Sequence, residues 1–133
     1  MSNVIPEEMK DLLDKPIVAS LSTVMPDGSP QVTPVWFDYD GSNIRINSAK
    51  GRVKDKNMRR DPRVAIVMTE PTNPYRYLEV RGHVETIDES AADAHIDSLA
   101  KRYMDLDAYP YRTPEEVRVT YTIVPERTTH MNR

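Results

Sequence analysis

The chain has 133 residues, a net charge of −3, a pI near 5.6, 38% hydrophobic residues and no cysteine. That suits one domain with a sizeable core and excludes disulfides, thiol catalysis and cysteine-held metal. No apolar run reaches the ~18 residues of a membrane span, Met1–Lys10 shows no leader pattern, and the acidic balance argues against broad nucleic-acid binding, so the cytoplasm is the expected compartment.

In chain order, Pro6 to Asp14 is expected to be a short helix, with Pro6 at its start and Met9, Leu12 and Leu13 on one face. Ile17 to Thr23 reads as an apolar strand, and Pro26-Asp27-Gly28-Ser29 as a turn. A second strand is expected from Gln31 to Tyr39, then a hairpin at Asp40-Gly41. In the strand after it, Ile44 and Ile46 point one way, Arg45 and Asn47 the other.

Gly51 allows a sharp turn, and Arg52 to Arg60 can be helical until Asp61-Pro62 stops it. Arg63 to Thr69 reads as a central strand, apolar on both faces. After a proline-bearing loop, Tyr77 to Ile87 alternates Leu78, Val80 and Val84 with Glu79, Arg81, His83 and Glu85. Gly82 falls among the inward positions, the mark of a bulge or close backbone approach. Asp88 can cap a helix through Met104 whose buried stripe is Ala92, Ile96, Leu99, Ala100 and Tyr103. Beyond a loop rich in tyrosine and proline, Val117, Val119, Tyr121 and Ile123 mark a last strand, and Glu126 to Arg133 are expected to be loosely held. Six strands with two edge helices imply a mainly β fold, an antiparallel barrel with accessory helices.

Charge is distributed unevenly. Lys50 to Arg63 holds seven basic and two acidic residues, against eleven basic and nineteen acidic elsewhere. Such a cluster in an acidic chain suits a compact anion such as a phosphorylated cofactor. A phosphate there would meet Ser48, Arg52, Lys54 and the unpaired N–H groups of a helix start. A solvated helix face is the competing reading. Arg59 and Arg60 are expected to pair with Asp55, Asp61 or other carboxylates.

The only tryptophan and only phenylalanine, Trp36 and Phe37, fall on opposite faces of one strand, so one of them needs cover from outside the core. A flat cofactor ring or a second subunit would supply it. Asn73-Pro74-Tyr75-Arg76-Tyr77 suits a ring-stacking or anion-contacting loop. His83, His95 and His130 lack metal-ligand spacing, and no metal site is expected. No phosphate loop, nucleophile elbow or carboxylate pair is present, which points to chemistry borrowed from a cofactor.

Three stretches together, Ala19 to Thr23, Pro26 to Phe37 and Gly51 to Arg63, resemble the pyridoxamine-phosphate-oxidase-like split β-barrel superfamily. Within it they are most similar to the branch of oxidoreductases that use the deazaflavin coenzyme F420. Tyr75 to Gly82 and Val117 to Tyr121 continue the likeness over nearly the whole chain. The resemblance implies a homodimer with two cofactor sites at the interface. By position, Asn47, Ser48 and Ala49 would lie along the cofactor tail, while Arg52 and Lys54 would hold its phosphate with Lys56 nearby. Thr33, Pro34, Val35 and Trp36 would border the ring, and Tyr75, Arg76 and Tyr77 would reach in from the partner.

The expected activity is hydride transfer from the reduced deazaflavin to an unsaturated or quinone-like small molecule, with water, Tyr75 or Tyr77 returning the proton. Seven basic residues exceed the need of one FMN phosphate and favour the acidic deazaflavin tail. Two alternatives stand: an FMN-binding oxidase or reductase of the same fold, and a non-catalytic carrier or sensor of flavin, haem or a similar planar ligand. The resemblance to true pyridoxamine-phosphate oxidases is confined to the barrel. The longer C-terminal segment that they carry has no counterpart after Thr128, so pyridoxine phosphate chemistry is not expected.

Overall fold

The computed structural model describes residues 4–133, so the first three residues of the segment read for a leader lie outside it. Seven strands form one antiparallel sheet: β1 (Ala19–Val24), β2 (Pro30–Val35), β3 (Phe37–Tyr39), β4 (Ile44–Ala49), β5 (Arg63–Thr69), β6 (Arg76–Asp88) and β7 (Arg118–Asn132). Their spatial order is β2-β1-β5-β6-β7-β4-β3. The helices are α1 (Asp11–Asp14), α2 (Val53–Arg60) and α3 (Ala92–Met104), with a 3₁₀ turn over Glu7–Met9. Among the described residues no helix is long and apolar enough to cross a membrane.

The count is seven strands rather than six because the segment expected to run unbroken from Gln31 to Tyr39 breaks at Trp36. β2 pairs with β1 and β3 pairs with β4, so the two halves lie on opposite edges of the sheet. Only Trp36 separates them in sequence, so the sheet must curl until its edges meet there. This is the mainly β split barrel, a curled antiparallel sheet with helices at its rim.

The seam at Trp36 is held by α3. The Tyr103 hydroxyl accepts from the Phe37 N–H at 3.1 Å and donates to the Ile17 carbonyl at 2.6 Å. The Arg102 guanidinium donates to the carbonyls of Phe37, Leu13, Asp14 and Lys15. It thereby serves the free C=O groups at the end of α1 and at the strand break together. Phe37 turns inward and is fully buried, alongside Met9, Leu12, Leu13, Leu21, Ile66, Met68, Leu78 and Tyr121.

Gly82 behaves as its place in the strand demands. A Cβ there would stand 2.0 Å from the Val124 carbonyl oxygen, and the β6–β7 register shifts beside it. β5 is central, as expected, between β1 and β6. Val64, Ile66 and Met68 are buried on one face, but Ala65 and Val67 on the other are only half-covered.

Three boundaries differ from expectation. The N-terminal helix is two short pieces meeting at Lys10. Asp88 does not cap α3: it ends β6 and binds the N–H groups of Ser90 and Ala91 in a turn, and α3 begins at Ala92. Nor is the C-terminus loose, since β7 runs to Asn132 and pairs with β6 through Arg76↔Asn132. Its side chains there are mostly exposed, so the apolar pattern fades, but the backbone ladder continues.

Candidate functional site

The Trp36 break, the end of β4, the start of α2 and the start of β7 converge on an open cavity of about 330 Å³. One side is apolar and aromatic: Val18, Pro34, Val35, Trp36, Ile96, Tyr109 and Tyr111. The other is polar and basic: Asn47, Ser48, Arg52, Lys54 and Arg118. The size lies in the range of small-molecule sites, as does the pairing of a ring-sized apolar wall with a few fixed polar groups.

Local sequence explains the basic side. β4 ends at Ala49, and Gly51, at φ 94°, turns the chain into α2. The Gly51 N–H donates to the Asp55 carboxylate at 2.9 Å, and Arg52 occupies the N-cap with no side-chain cap. The helix therefore opens on the cavity side with free N–H groups and Arg52 and Lys54 beside them. Asp55 is buried, also accepts from Tyr121 and Arg59, and anchors α2 to the barrel.

The charges at the cavity are out of balance. Glu116 is the carboxylate at hand, 3.0 Å from Arg52 and 2.7 Å from Arg118. Lys54 has no carboxylate partner among the described residues. Burial, together with Arg52 and Arg118 nearby, pushes its ammonium below the usual lysine range. The Ser48 hydroxyl is buried without a hydrogen-bond partner, as is that of Thr33. A buried polar group left unpaired costs about 1–3 kcal/mol. An anionic, hydrogen-bonding ligand would relieve both deficits, which is the fit expected for a phosphate-bearing cofactor.

On the apolar side, Trp36 stacks on Tyr103 with ring centroids 5.0 Å apart and meets the edge of Tyr109 at 6.1 Å. Tyr109 in turn packs against Tyr111 and lies under the Arg118 guanidinium at 5.2 Å. The cover demanded for Trp36 thus comes in part from this chain's own α3 and the loop after it.

Of the residues singled out in the sequence, Pro34, Val35, Trp36, Asn47, Ser48, Arg52 and Lys54 line this cavity. Thr33, Ala49 and Lys56 stand beside these residues in sequence but do not line it. Tyr75, Arg76 and Tyr77 lie elsewhere, where Arg76 makes a bidentate pair with Asp11 at 2.7 and 2.8 Å. The basic run is also less free than its composition suggests. Lys50 pairs with Glu89, Arg59 with Asp55 and Glu89, and Arg63 with Asp61, while Arg60 binds the Val24 carbonyl and Asn57. Of these partners only Glu89 is a carboxylate from outside the run, so the pairing fixes the side chains in place while most of the surplus charge remains.

Val18, Ile96, Tyr109, Tyr111 and Arg118 were not foreseen. Arg118 carried a readable signal: an arginine opening an apolar strand beside Val117 and Val119 must be buried or aimed at a site. Tyr109 and Tyr111 lie in the tyrosine-rich loop, which had no regular pattern to read.

Known proteins are similar to this chain over most of its length. The family model described as Pyridoxamine 5'-phosphate oxidase matches residues 5–132. A solved structure named "F420 Reductase" is 38% identical with a TM-score of 0.84, over 94% of this chain and 98% of that one. A conserved hypothetical protein from Mycobacterium tuberculosis is 28% identical with a TM-score of 0.76, over 97% of this chain and 86% of that one.

Proposed function

Starting from the chain's membership of the pyridoxamine 5'-phosphate oxidase family of oxidoreductases, we propose that it is a reductase dependent on coenzyme F420, acting on an unsaturated or quinone-like small molecule. The observation that carries this reading is the Arg52–Lys54–Arg118 cluster, three cations against the one carboxylate of Glu116, beside the unpartnered Ser48 hydroxyl. It lies in a chain 38% identical to an F420 reductase.

When bound, the reduced deazaflavin supplies a hydride and reacts poorly with oxygen. The protein's part is binding and orientation. Arg52, Lys54 and the open start of α2 hold the phosphate. Ser48 donates to the ligand through its otherwise idle hydroxyl. Trp36, flat against Tyr103, borders the ring and keeps water from that side. The cavity lining has no carboxylate and no imidazole, so the proton that completes the reduction comes from water or a tyrosine: Tyr75 or Tyr77 of a partner, or this chain's Tyr109 or Tyr111.

The working unit in this reading is a homodimer. Tyr75, 64% exposed, and Tyr77 of one copy face the other's ligand, and Arg76 braces their loop. FMN is the second reading, favoured by the family to which the chain belongs; it too would present a phosphate to the cluster and a flat ring to Trp36.

Parallel fluorescence titrations of the purified protein with F420 and FMN separate the two. Micromolar or tighter binding of F420, with FMN much weaker, is expected. FMN binding the tighter moves the protein to the flavin side of the family. Tight binding without turnover over a broad acceptor panel makes it a carrier or sensor. Binding of neither sinks the reading.

A further inference from the structure

A chain of side chains runs from the outer surface to the cavity through a buried histidine. Asp38 is held by Arg45 in a two-pronged pair at 2.9 and 2.8 Å. The same Asp38 meets His95 Nε2 at 3.2 Å. His95 Nδ1 lies 3.1 Å from Asn47 Nδ2 and 3.1 Å from the Thr120 hydroxyl. Asn47 Oδ1 accepts from Arg118 Nε at 2.9 Å. His95, Asn47, Thr120 and Arg118 are all buried.

One assignment gives every group on this chain a partner of the right kind through its shorter contacts; the Thr120 hydroxyl, 3.5 Å from Asn47 Nδ2, is the other acceptor in reach. Arg118 has only donors, so Asn47 must present its oxygen to it. The Asn47 NH2 then donates to the Ala92 carbonyl at 3.0 Å and to His95 Nδ1. In this assignment Nδ1 accepts, and Nε2 carries the ring N–H that faces Asp38. Burial raises the Asp38 carboxyl, but His95 and Arg45 outweigh it and hold the group below its ordinary value, which keeps it an acceptor.

We propose that His95 is a positioning residue: through Asn47 it fixes the Arg118 guanidinium at the wall of the anion-binding cavity. Nε is taken by Asn47, Nη1 by Glu116, and one face by Tyr109. Nη2 has no protein partner among the described residues and is the donor left for the ligand. The Ala92 carbonyl and His95 Nδ1 both take protons of the Asn47 NH2; with Nδ1 gone the amide is held by Ala92 alone on that side, and the guanidinium loses part of its restraint at Nε. The cofactor reading above enters only as the identity of the anion.

Two isosteric variants test this. His95→Asn sets a carbonyl oxygen near the place of Nδ1 and keeps the acceptor for Asn47. His95→Gln reaches the place of Nε2 and abandons that acceptor. His95→Asn is expected to bind F420 within about twofold of wild type, and His95→Gln about tenfold more weakly. A role confined to packing would weaken both alike, and equal affinities overturn the proposal.

A ligand-free readout runs alongside. The Arg118 Nε–H signal, assigned by its loss in Arg118→Lys, is expected to be equally protected from exchange in wild type and His95→Asn and measurably less protected in His95→Gln. Protection retained in His95→Gln also overturns the proposal. If wild type binds neither cofactor, the functional reading fails and this signal still decides the positioning role. If neither His95 variant folds, Asp38→Asn serves: it is expected to weaken binding and expose the same Nε–H, and no change in either measurement counts against the proposal.

Discussion

Two ionic clusters in this molecule use the same residue types to opposite ends. Near the N-terminus, Lys15 and Arg76 face Asp11 and Glu70, each cation touching both carboxylates at 2.5 to 3.4 Å. At the cavity, Arg52 and Arg118 share Glu116, and Lys54 has no carboxylate partner among the described residues. The first cluster favours the charges on Asp11 and Lys15: hydrogen bonding from Arg76 holds the Asp11 carboxyl down at about 2, and the Glu70 hydrogen bond raises Lys15. In the second, burial and neighbouring cations disfavour the charge on Lys54. A count of basic residues therefore does not locate an anion site. The site is where the fold leaves cations unmatched.

Loss of the platform under the cavity cluster should have the largest effect. Asp55→Ala removes the acceptor for Gly51 N–H, Arg59 and the buried Tyr121 hydroxyl. It is expected to cost about 3 kcal/mol in urea unfolding and to unseat Arg52 and Lys54 with α2. Lys54→Ala should sharpen the comparison from the other side. F420 affinity is expected to fall at least about tenfold, or 1.4 kcal/mol, while the melting temperature holds or rises because a repelled charge has gone. Unchanged affinity would remove Lys54 from the phosphate site. Arg76→Ala should reverse that pattern: about 1 kcal/mol of stability lost in the same unfolding assay, with a smaller change in affinity than Lys54→Ala gives.

The clusters should also part in pH dependence. The Asp11 carboxyl is depressed from 3.8, so its contribution to stability is complete above about pH 4 and lost as pH falls toward 2. Acid unfolding of wild type against Asp11→Asn should show that arm. At the cavity the sign concerns binding. A bound anion favours charged Lys54, so affinity is greatest below the lowered Lys54 pKa and declines as pH rises through it, before 10.5 is reached. Lys54→Arg should abolish that alkaline decline.

Much of the fold was legible because it rests on local rules. Gly28, Gly41 and Gly51 all adopt positive φ at the turns expected of them. The alternation of Leu78 and Val80 with Glu79 and Arg81 set the faces of β6, and Gly82 stood where a side chain could not. The break at Trp36 was not legible, because apolar alternation continues straight through it. The bend is imposed by a curled sheet whose edges must meet and by Arg102 and Tyr103, more than sixty residues later, which take up the freed backbone groups.

The site divides in the same way. Pro34 to Trp36, Asn47, Ser48, Arg52 and Lys54 could be picked out because aromatic, polar and basic residues there break the patterns around them. Sequence alone determined the barrel class, the turns, the core faces and the segment from which an anion site would be drawn. Tertiary structure decided which cations stay unmatched, that Arg118, Tyr109 and Tyr111 join them, and that a buried Asp38–His95–Asn47 chain stands behind Arg118. Those outcomes turn on pairings between residues up to about seventy positions apart. Composition and periodicity describe a segment's own preferences, whereas charge balance and hydrogen-bond direction belong to the neighbours that folding brings to it.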